Sequence, residues 1–383
     1  MPATHYDIAV IGSGVIGAAV AWQCAERGQR TLILDRHPAP HTFGSSHGQT
    51  RLLRVAYAEG EHYVPLVRRS IRLWRALEKR TGQAVFRQSG VVYVGQEYSP
   101  LIAGVRAAAA AHDVRVREID GPARATEMPE LEVSPDWTML IEDEGGYLYA
   151  EAAVRAMLAL GKATIHLSVR LGDVAHCQEV ADGVSIGLRS GEEIRAARAV
   201  VCAGAWVGDL LPGVGDRVQP HRQLSHWFDG DPKHFGEDAS FRPFGVNDAR
   251  ANTFYYGFPR IDKLGVKVGD HFVREPPAHA DDRRMDVTAS EVAATAEFAR
   301  QHLPRLGRHL SSRSCLYTCT VSEDFILDWA PAGAKRIYVC SGFSGHGFKF
   351  APAIGEAVAQ RLLGELPSCD ISSFGLGRPT AST

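Results

Sequence analysis

The stretch that decides the fold is Asp7-Ile8-Ala9-Val10-Ile11-Gly12-Ser13-Gly14-Val15-Ile16-Gly17, close to the start of the chain. Its first residues are typical of a buried strand, and a helix-forming run follows the last glycine and extends to Arg27. Glycines at this spacing allow a tight turn, the approach of a pyrophosphate to the backbone and close packing of helix on strand. The stretch therefore predicts a phosphate site at a helix N-terminus.

A second short strand extends the pattern into a βαβ unit. Gly28 ends the predicted helix, and Thr31-Leu32-Ile33-Leu34 forms an apolar strand that leads into Asp35. An acidic residue at this distance from the first glycine accepts hydrogen bonds from ribose hydroxyls. The unit predicts a dinucleotide-binding domain, and it fits FAD and NAD equally well.

Composition narrows the class of protein. The 383 residues exceed what one hydrophobic core usually supports, which favours two domains. A net charge of −2 provides no basic surface for nucleic acid or anionic lipid, so a small-molecule substrate is expected. The 7 cysteines are scattered without paired spacing, which favours a reducing cytoplasm over a disulfide framework or a metal site. We expect no membrane partner, because the apolar run from Ile8 to Trp22 is better explained as strand, turn and helix.

The rest of the chain predicts further alternating elements. Helices are expected over 63–79, 103–112, 150–165, 290–302 and 351–363, and strands over 91–94, 199–202, 253–256, 265–268 and 336–340. The part from His221 to His279 is richer in aromatic residues and proline and suggests an antiparallel layer. We therefore predict an α/β fold of two domains, with a Rossmann-like domain interleaved with a mostly antiparallel-sheet substrate domain.

Two motifs near the end of the chain indicate a ligand that also contacts the start of the chain. They are Cys315-Leu316-Tyr317-Thr318 and the glycine-rich Gly342-Phe343-Ser344-Gly345-His346-Gly347-Phe348-Lys349. A cofactor whose ADP half binds the N-terminal unit and whose ring meets the C-terminal segment explains glycine-rich motifs at both ends. We expect a discontinuous FAD-binding domain of residues 1–80, 150–218 and 312–383, and a substrate domain of residues 81–149 and 219–311.

Several motifs in a fixed order resemble those of monomeric sarcosine oxidase and its relatives, N-methyltryptophan oxidase and pipecolate oxidase. The resemblance covers nearly the whole chain and is carried by residues 12–17, 47–54, 256–259, 265–271, 315–318 and 342–349. It implies an FAD-dependent amine oxidase that acts on a secondary amino acid, either sarcosine or a larger N-methyl or cyclic one. The family also implies a monomer that uses O2 and produces H2O2.

The resemblance assigns a role to Cys315. This residue matches the cysteine that bonds covalently to the flavin of the family. A thiolate is the reactive form, so a neighbouring cation that lowers the thiol pKa would assist the bond. The alternative is an inert cysteine in a core strand.

Arg54 and Lys349 match the family positions that hold the substrate carboxylate. A guanidinium fork and an ammonium group suit that ligand. For Arg54, the alternative is an ion pair with Glu59 or Glu61. For Lys349, it is exposure at the start of a helix.

The resemblance also places four residues around the substrate. Tyr256 and Tyr317 match pocket tyrosines, and the alternative is a role as core aromatics. Lys267 matches the lysine that favours reaction with oxygen, because a fixed cation stabilises developing negative charge. Its alternative is a solvated charge at a strand edge. His271 lies on the same side of that strand and is expected to tune the pocket.

The remaining assignments concern the cofactor. His47 and Arg51 match positions beside the flavin ring, where positive charge favours an anionic reduced form. Gly345, Gly347 and Lys349 are expected to meet the ring from the C-terminal side. With Gly12, Gly14, Gly17, Asp35 and Cys315, these residues form the predicted cofactor site.

The sequence departs from the family pattern at two positions. Ser46 precedes His47 where the family often has a second histidine, and Gly245 falls where a pocket methionine is expected. Both changes remove bulk, which suggests an active site that admits an amine larger than sarcosine.

Three other functions compete with the oxidase. A flavin dehydrogenase on the same fold would pass electrons to a quinone or a protein carrier, and Lys267 is the residue that discriminates against it. An NAD-dependent dehydrogenase would explain Gly12 to Asp35 but has no use for Cys315. A flavin-binding module without turnover has no specific support in the sequence.

Overall fold

The computed structural model describes residues 5–272, 276–331 and 333–377. The strands are β1 His5–Ile11, β2 Thr31–Asp35, β3 Thr50–Leu53, β4 Phe86–Arg87, β5 Val91–Gly95, β6 Val116–Glu118, β7 Thr138–Glu142, β8 Gly146–Tyr149, β9 Leu167–Leu171, β10 Val174–Val180, β11 Gly183–Leu188, β12 Glu193–Val201, β13 Gln219–Phe228, β14 Phe244–Asp248, β15 Thr253–Phe258, β16 Val266–Asp270, β17 His309–Cys319, β18 Ile326–Trp329 and β19 Ile337–Ser341. The α-helices are α1 Val15–Glu26, α2 Val64–Thr81, α3 Pro100–His112, α4 Gly121–Glu127, α5 Ala150–Ala163, α6 Val207–Leu210, α7 Pro212–Gly215, α8 Pro232–Phe235, α9 Ala289–His302 and α10 Ala351–Leu363.

The first large sheet contains the predicted βαβ unit. Its strands follow the order β10-β11-β12-β1-β2-β9, and β19 pairs with β12 and with β18. The strands β9, β2, β1, β12 and β19 are parallel, so their carboxyl ends lie along one edge. Ligands of open parallel sheets bind at this edge. The glycine-rich turn after β1 therefore lies where a nucleotide is expected.

The second large sheet is mostly antiparallel. Its order is β17-β13-β16-β15-β14-β5-β7-β6, and only the pair β14 and β5 is parallel among its described pairs. A smaller sheet has the order β3-β8-β4. Strands β13 to β17 place residues 219–319 beside one another, and this layer is the antiparallel one expected from its aromatic composition.

Helix α1 is the centre of the first core. It packs against α5 and α10, and every residue from Val15 to Ala25 is buried. Such a helix is apolar all round, which is the pattern of a helix enclosed by protein. Gly355 of α10 lies so close to Ala19 that an added Cβ would be 2.6 Å from the Ala19 carbonyl carbon. The C-terminal helix is thereby packed against the N-terminal nucleotide unit.

The predicted fold class is confirmed, as are the helices and strands predicted between Asp7 and Leu363, with ends shifted by a few residues. The division into two interleaved domains stays a proposal. Strand β17 pairs with β13 in the second sheet, so the proposed boundary between 311 and 312 falls inside a strand. None of the helices in the described ranges is long and apolar enough to cross a bilayer.

Candidate active site

A glycine cradle lies at the end of β1. Gly12 has φ +102°, and a Cβ there would overlap the carbonyl oxygen of Cys202, which follows β12. A Cβ on Gly17 would overlap the carbonyl oxygen of Gly12, so this glycine allows α1 to pack on the turn. Gly12 and Gly14 line a cavity that continues to Asp35, whereas Gly17 serves the packing beneath it. The backbone is therefore open to a ligand at the N-terminus of α1.

Asp35 is the acidic end of this cavity. Its carboxylate accepts hydrogen bonds from the Ser13 N–H at 2.7 Å, the Ser13 hydroxyl at 2.8 Å and the His37 N–H at 2.9 Å. Burial raises the pKa of Asp35, but hydrogen bonds from His41, Ser13 and His37 outweigh it and lower the pKa to about 2. The Asp35 carboxyl group is therefore ionised at neutral pH and is suited to accept hydrogen bonds from ribose hydroxyls.

A second cavity adjoins the first and collects residues from distant strands. Arg51, Tyr317 and Gly345 line both cavities, which places the two side by side. The other predicted site residues that line the second cavity are His47, Arg54, Tyr256, Lys267, His271, Cys315 and Lys349. Gly347 lines the first cavity. The structure thus brings the predicted site residues together around two adjoining cavities, with Gly17 packed below the first.

Cys315 lies on β17 at this junction. The residue is 8% exposed and pairs with Gln223 of β13. Burial raises the pKa of the thiol, and the positive charges of Arg51 and Lys267 oppose that effect. Cations therefore lie near the sulfur as expected, although burial has the larger effect on its pKa.

Arg54 and Lys349 are both buried in the second cavity. Arg54 is 4% exposed and forms an ion pair with Glu59, one of the two acids considered as its partner. Burial lowers the pKa of Arg54, but Glu59 and Tyr57 more than compensate and hold it above its usual value. Lys349 is also 4% exposed, and burial followed by the charge of Arg54 holds its pKa well below the usual value. The exposed alternative for Lys349 is therefore wrong.

Lys267 is a fixed internal cation on β16. Its ammonium donates to the carbonyl oxygen of Gly48 at 2.8 Å and to that of Thr50 at 3.2 Å. Burial, then the charge of Arg51, lowers its pKa well below the usual value. Because the side chain is 3% exposed, the solvated strand-edge alternative is wrong.

His271 and Tyr256 complete the wall near Lys267. Burial lowers the pKa of His271 to about 4, so the imidazole is neutral at physiological pH. Its ring centroid lies 5.6 Å from that of Tyr317. The Tyr256 hydroxyl lies 3.5 Å from the Ser225 hydroxyl. These aromatic side chains close the cavity on the side of the second sheet.

Comparison with known proteins shows which family the chain belongs to. A family model described as FAD dependent oxidoreductase matches residues 7–361. The chain belongs to this family.

Curated relatives are similar to this chain over nearly their whole length. The chain is 35% identical to an N-methyl-L-tryptophan oxidase of Salmonella agona over 376 residues, which cover 97% of this chain and 99% of the relative. It is 36% identical to the enzyme of the same name from Salmonella heidelberg over 374 residues, with the same coverage. The predicted family and the predicted class, an oxidoreductase acting on CH–NH donors, are confirmed.

Solved structures share the fold. NikD, described as an unusual amino acid oxidase essential for nikkomycin biosynthesis, superposes with a TM-score of 0.84 at 23% identity and covers 97% of both chains. Glycine oxidase from Geobacillus kaustophilus superposes with a TM-score of 0.79 at 19% identity, covering 98% of this chain and 99% of its own. At these identities the likeness concerns the fold.

The residues present fit the FAD of this family. Both ring nitrogens of His47 are buried and have no hydrogen-bond partner within the described residues, and the same holds for the Thr50 hydroxyl. Burial, followed by Arg51 and Lys267, lowers the pKa of His47 to about 3. Buried polar atoms without partners are costly, and they are common where a ligand supplies the missing partner. His47 and Thr50 line the second cavity together with Cys315, where the predicted ring site is.

Ser46 and Gly245, the two departures from the family pattern, are both absent from the described lining of the second cavity. Ser46 lines the first cavity, and its hydroxyl accepts from the Val15 N–H at 3.0 Å, so it supports the start of α1 and adds no room for substrate. Gly245 is absent from the described lining of the second cavity, where Phe254 is present instead. The expectation is therefore wrong for Ser46. For Gly245 it stays a prediction, because a Cβ there would meet Phe254, which does line the second cavity.

Sequence patterns did not identify every residue of this site. Glu142 is fully buried and accepts from the Val55 N–H at 2.7 Å, the Ala56 N–H at 2.9 Å and the Tyr93 hydroxyl at 2.6 Å. It holds the segment that follows Arg54. A lone glutamate at the end of a strand has no sequence signature that separates it from a surface acid.

Proposed function

We propose that this chain oxidises secondary amino acids, with N-methyl amino acids as the first class to test, to imines. Electrons pass to O2, which gives H2O2. The observation that supports this best is that Arg54 and Lys349 lie buried in the same cavity as Lys267 and Cys315. The names of the curated relatives point to N-methylated amino acids in particular.

The two buried cations bind the carboxylate of the substrate in this proposal. Arg54 contributes a planar fork, and Lys349 contributes a compact ammonium group. Glu59 already pairs with Arg54, but the buried Arg54 Nη1 atom has no hydrogen-bond partner within the described residues, so a bound carboxylate would serve both this atom and Lys349. Fixing the carboxylate leaves the amino-bearing carbon in one orientation, which is the main contribution a protein can make to such a reaction. No side chain is required as a general base, because the neutral amine is the reactive form.

The aromatic wall excludes water from the reacting carbon. Tyr256, Tyr317 and His271 surround the cavity, and His271 is neutral above a pH of about 4. Lys267 is held by two backbone carbonyls and remains close to the predicted ring site. We assign it the stabilisation of negative charge that develops on oxygen during its reduction.

FAD, when bound, supplies the two-electron acceptor for the C–H bond of the amine. We propose that Gly12, Gly14 and Asp35 hold its ADP half. His47, Arg51, Gly345, Gly347 and the backbone at Lys349 would hold its ring, and Cys315 would carry the covalent attachment. We further propose a monomer that works in the cytoplasm.

Two measurements on the purified protein test this function. Acid precipitation is expected to leave the yellow colour in the pellet, and in a Cys315→Ala variant the colour should move to the supernatant. Cys319→Ala on the same strand is the matched control and should keep the colour in the pellet. Wild-type colour in the supernatant would contradict the covalent attachment.

The second measurement addresses the substrate. N-Methyl-L-tryptophan and sarcosine are added to the enzyme without oxygen, and the loss of flavin absorbance is followed. Admission of air should restore the absorbance and produce H2O2. Absence of bleaching with every N-methyl and cyclic amino acid would contradict the proposed function.

A further inference from the structure

The ring of Tyr57 contacts both cations assigned to carboxylate binding. The guanidinium carbon of Arg54 is 4.4 Å from the ring centroid, and the Lys349 Nζ atom is 4.9 Å from it. Tyr57 is fully buried. Desolvated cation–π contacts of this kind are among the stronger ones. A single side chain therefore contacts both cations.

The hydroxyl of Tyr57 has a defined direction, which follows from the tautomer of His346. The His346 Nε2 atom is 3.0 Å from the carbonyl oxygen of Glu323, and a carbonyl can only accept, so Nε2 carries the proton. Burial lowers the pKa of His346 to about 3, which keeps the ring neutral and leaves Nδ1 as an acceptor. The Tyr57 hydroxyl, 2.7 Å from Nδ1, therefore donates to His346.

The Tyr57 hydroxyl uses its proton in the hydrogen bond to His346, so its oxygen is available as an acceptor. The Lys349 ammonium donates to it at 3.2 Å and donates a second bond to the His346 carbonyl oxygen at 3.0 Å. An ammonium has three N–H donors. With two of them used in the described structure, one remains for a ligand in the cavity that Lys349 lines.

We infer that Tyr57 is a positioning residue for carboxylate binding: its ring contacts Arg54 and Lys349, and its hydroxyl, oriented by His346, fixes the direction of the Lys349 ammonium. The inference rests on the proposed function, since it requires these two cations to hold a carboxylate. Removal of the hydroxyl leaves Lys349 with one fixed partner, so the ammonium turns away from its ligand more often. The charge, the ring and the cavity stay in place.

Tyr63 provides a matched control. Its ring centroid is 4.9 Å from that of Tyr57, and the residue is 1% exposed. Its hydroxyl donates to Asp324 at 2.8 Å. Tyr63→Phe therefore removes a hydroxyl from the same aromatic cluster, and the hydrogen bond lost is to Asp324 and not to Tyr57, His346 or Lys349.

The experiment measures the affinity of the holoenzyme for propionate, read from the change in flavin absorbance, and uses propionamide as the uncharged comparison. Tyr57→Phe is expected to weaken propionate about tenfold, the effect of one hydrogen bond to a charged group. The propionate affinity of Tyr63→Phe should stay within about twofold of the wild-type value. The two variants should have the same affinity for propionamide. In turnover, Tyr57→Phe should raise KM for the amino acid more than it lowers kcat.

A second variant serves if Tyr57→Phe folds poorly. His346→Leu removes the acceptor of the Tyr57 hydroxyl and should weaken propionate by a similar factor, with no change in a side chain that contacts Lys349. Equal losses in Tyr57→Phe and Tyr63→Phe, or no loss in Tyr57→Phe, would overturn the inference. Lys349→Met tests the proposed function separately from the inference about Tyr57. Unchanged propionate affinity in that variant would show that Lys349 does not bind the carboxylate.

Discussion

The ring of Phe254 on β15 fills the space beside Gly245 on β14. A Cβ added to Gly245 would lie 2.8 Å from the Cε2 atom of that ring. Phe254 in turn lines the second cavity and contacts His271 edge-on, with ring centroids 5.3 Å apart. The missing side chain at Gly245 therefore acts on the substrate site through the position of Phe254.

The first prediction follows from this contact. Gly245→Ala should push the Phe254 ring toward the cavity and lower kcat/KM for N-methyl-L-tryptophan relative to sarcosine by about tenfold, the scale of a steric change in an apolar pocket. Gly257→Ala is the control, because its Cβ would meet Phe244, a core ring absent from the described lining of the second cavity, at the shorter distance of 2.4 Å. Equal changes in the ratio for both variants would contradict a specificity role for Phe254.

A second prediction concerns the pair Arg54 and Glu59. Glu59 competes with a ligand carboxylate for the guanidinium, so Glu59→Gln should tighten propionate binding. The same variant should lose about 3 kcal/mol in the free energy of unfolding, because it leaves a buried cation without its anion. Affinity and thermal unfolding are measured together. Glu61→Gln, at an exposed neighbouring acid, should change neither, and weaker propionate binding in Glu59→Gln would contradict the competition.

The third prediction is a pH effect at Lys349. Burial and Arg54 lower the pKa of this group, Glu59 raises it, and the neighbouring His346 is neutral above a pH of about 3. Lys349 is charged below its own pKa, which lies well below the usual lysine range. Propionate affinity should therefore fall as the pH rises through that pKa. Bound carboxylate raises the pKa, so binding near it should take up protons.

Proton uptake is measured by calorimetry in two buffers of different ionisation enthalpy. Lys349→Met should abolish the uptake and flatten the high-pH fall in affinity. Persistence of both in that variant would assign them to another group.

The fourth prediction separates the oxidase from the dehydrogenase. Lys267→Met should slow the return of flavin absorbance after admission of air by about 10²–10³-fold, the usual effect of removing one group that stabilises developing charge. Bleaching by substrate without oxygen should change far less. Arg313→Met removes another cation that lines the same cavity and is the control. A wild-type enzyme that reacts slowly with air but rapidly with a quinone would favour the dehydrogenase.

Much of the architecture could be predicted from local patterns. The strand, glycine turn and helix from His5 to Glu26 and the second strand ending at Asp35 have the spacings along the chain that are typical of dinucleotide-binding units. Cys315 and the segment that ends at Lys349 were also identified by their motifs. Such features depend on neighbours within a few residues, so the sequence alone determined the fold class and the family.

The partners of these residues were decided by the tertiary structure. Tyr57 meets His346 and Lys349 across 289 and 292 positions of the chain, and Phe254 takes the space of Gly245 only because β14 pairs with β15 in that register. Glu59 was one of two acids open to Arg54 until the fold selected it. Contacts of this kind depend on how distant strands and helices pack in a dry interior, and no spacing along the chain encodes that packing.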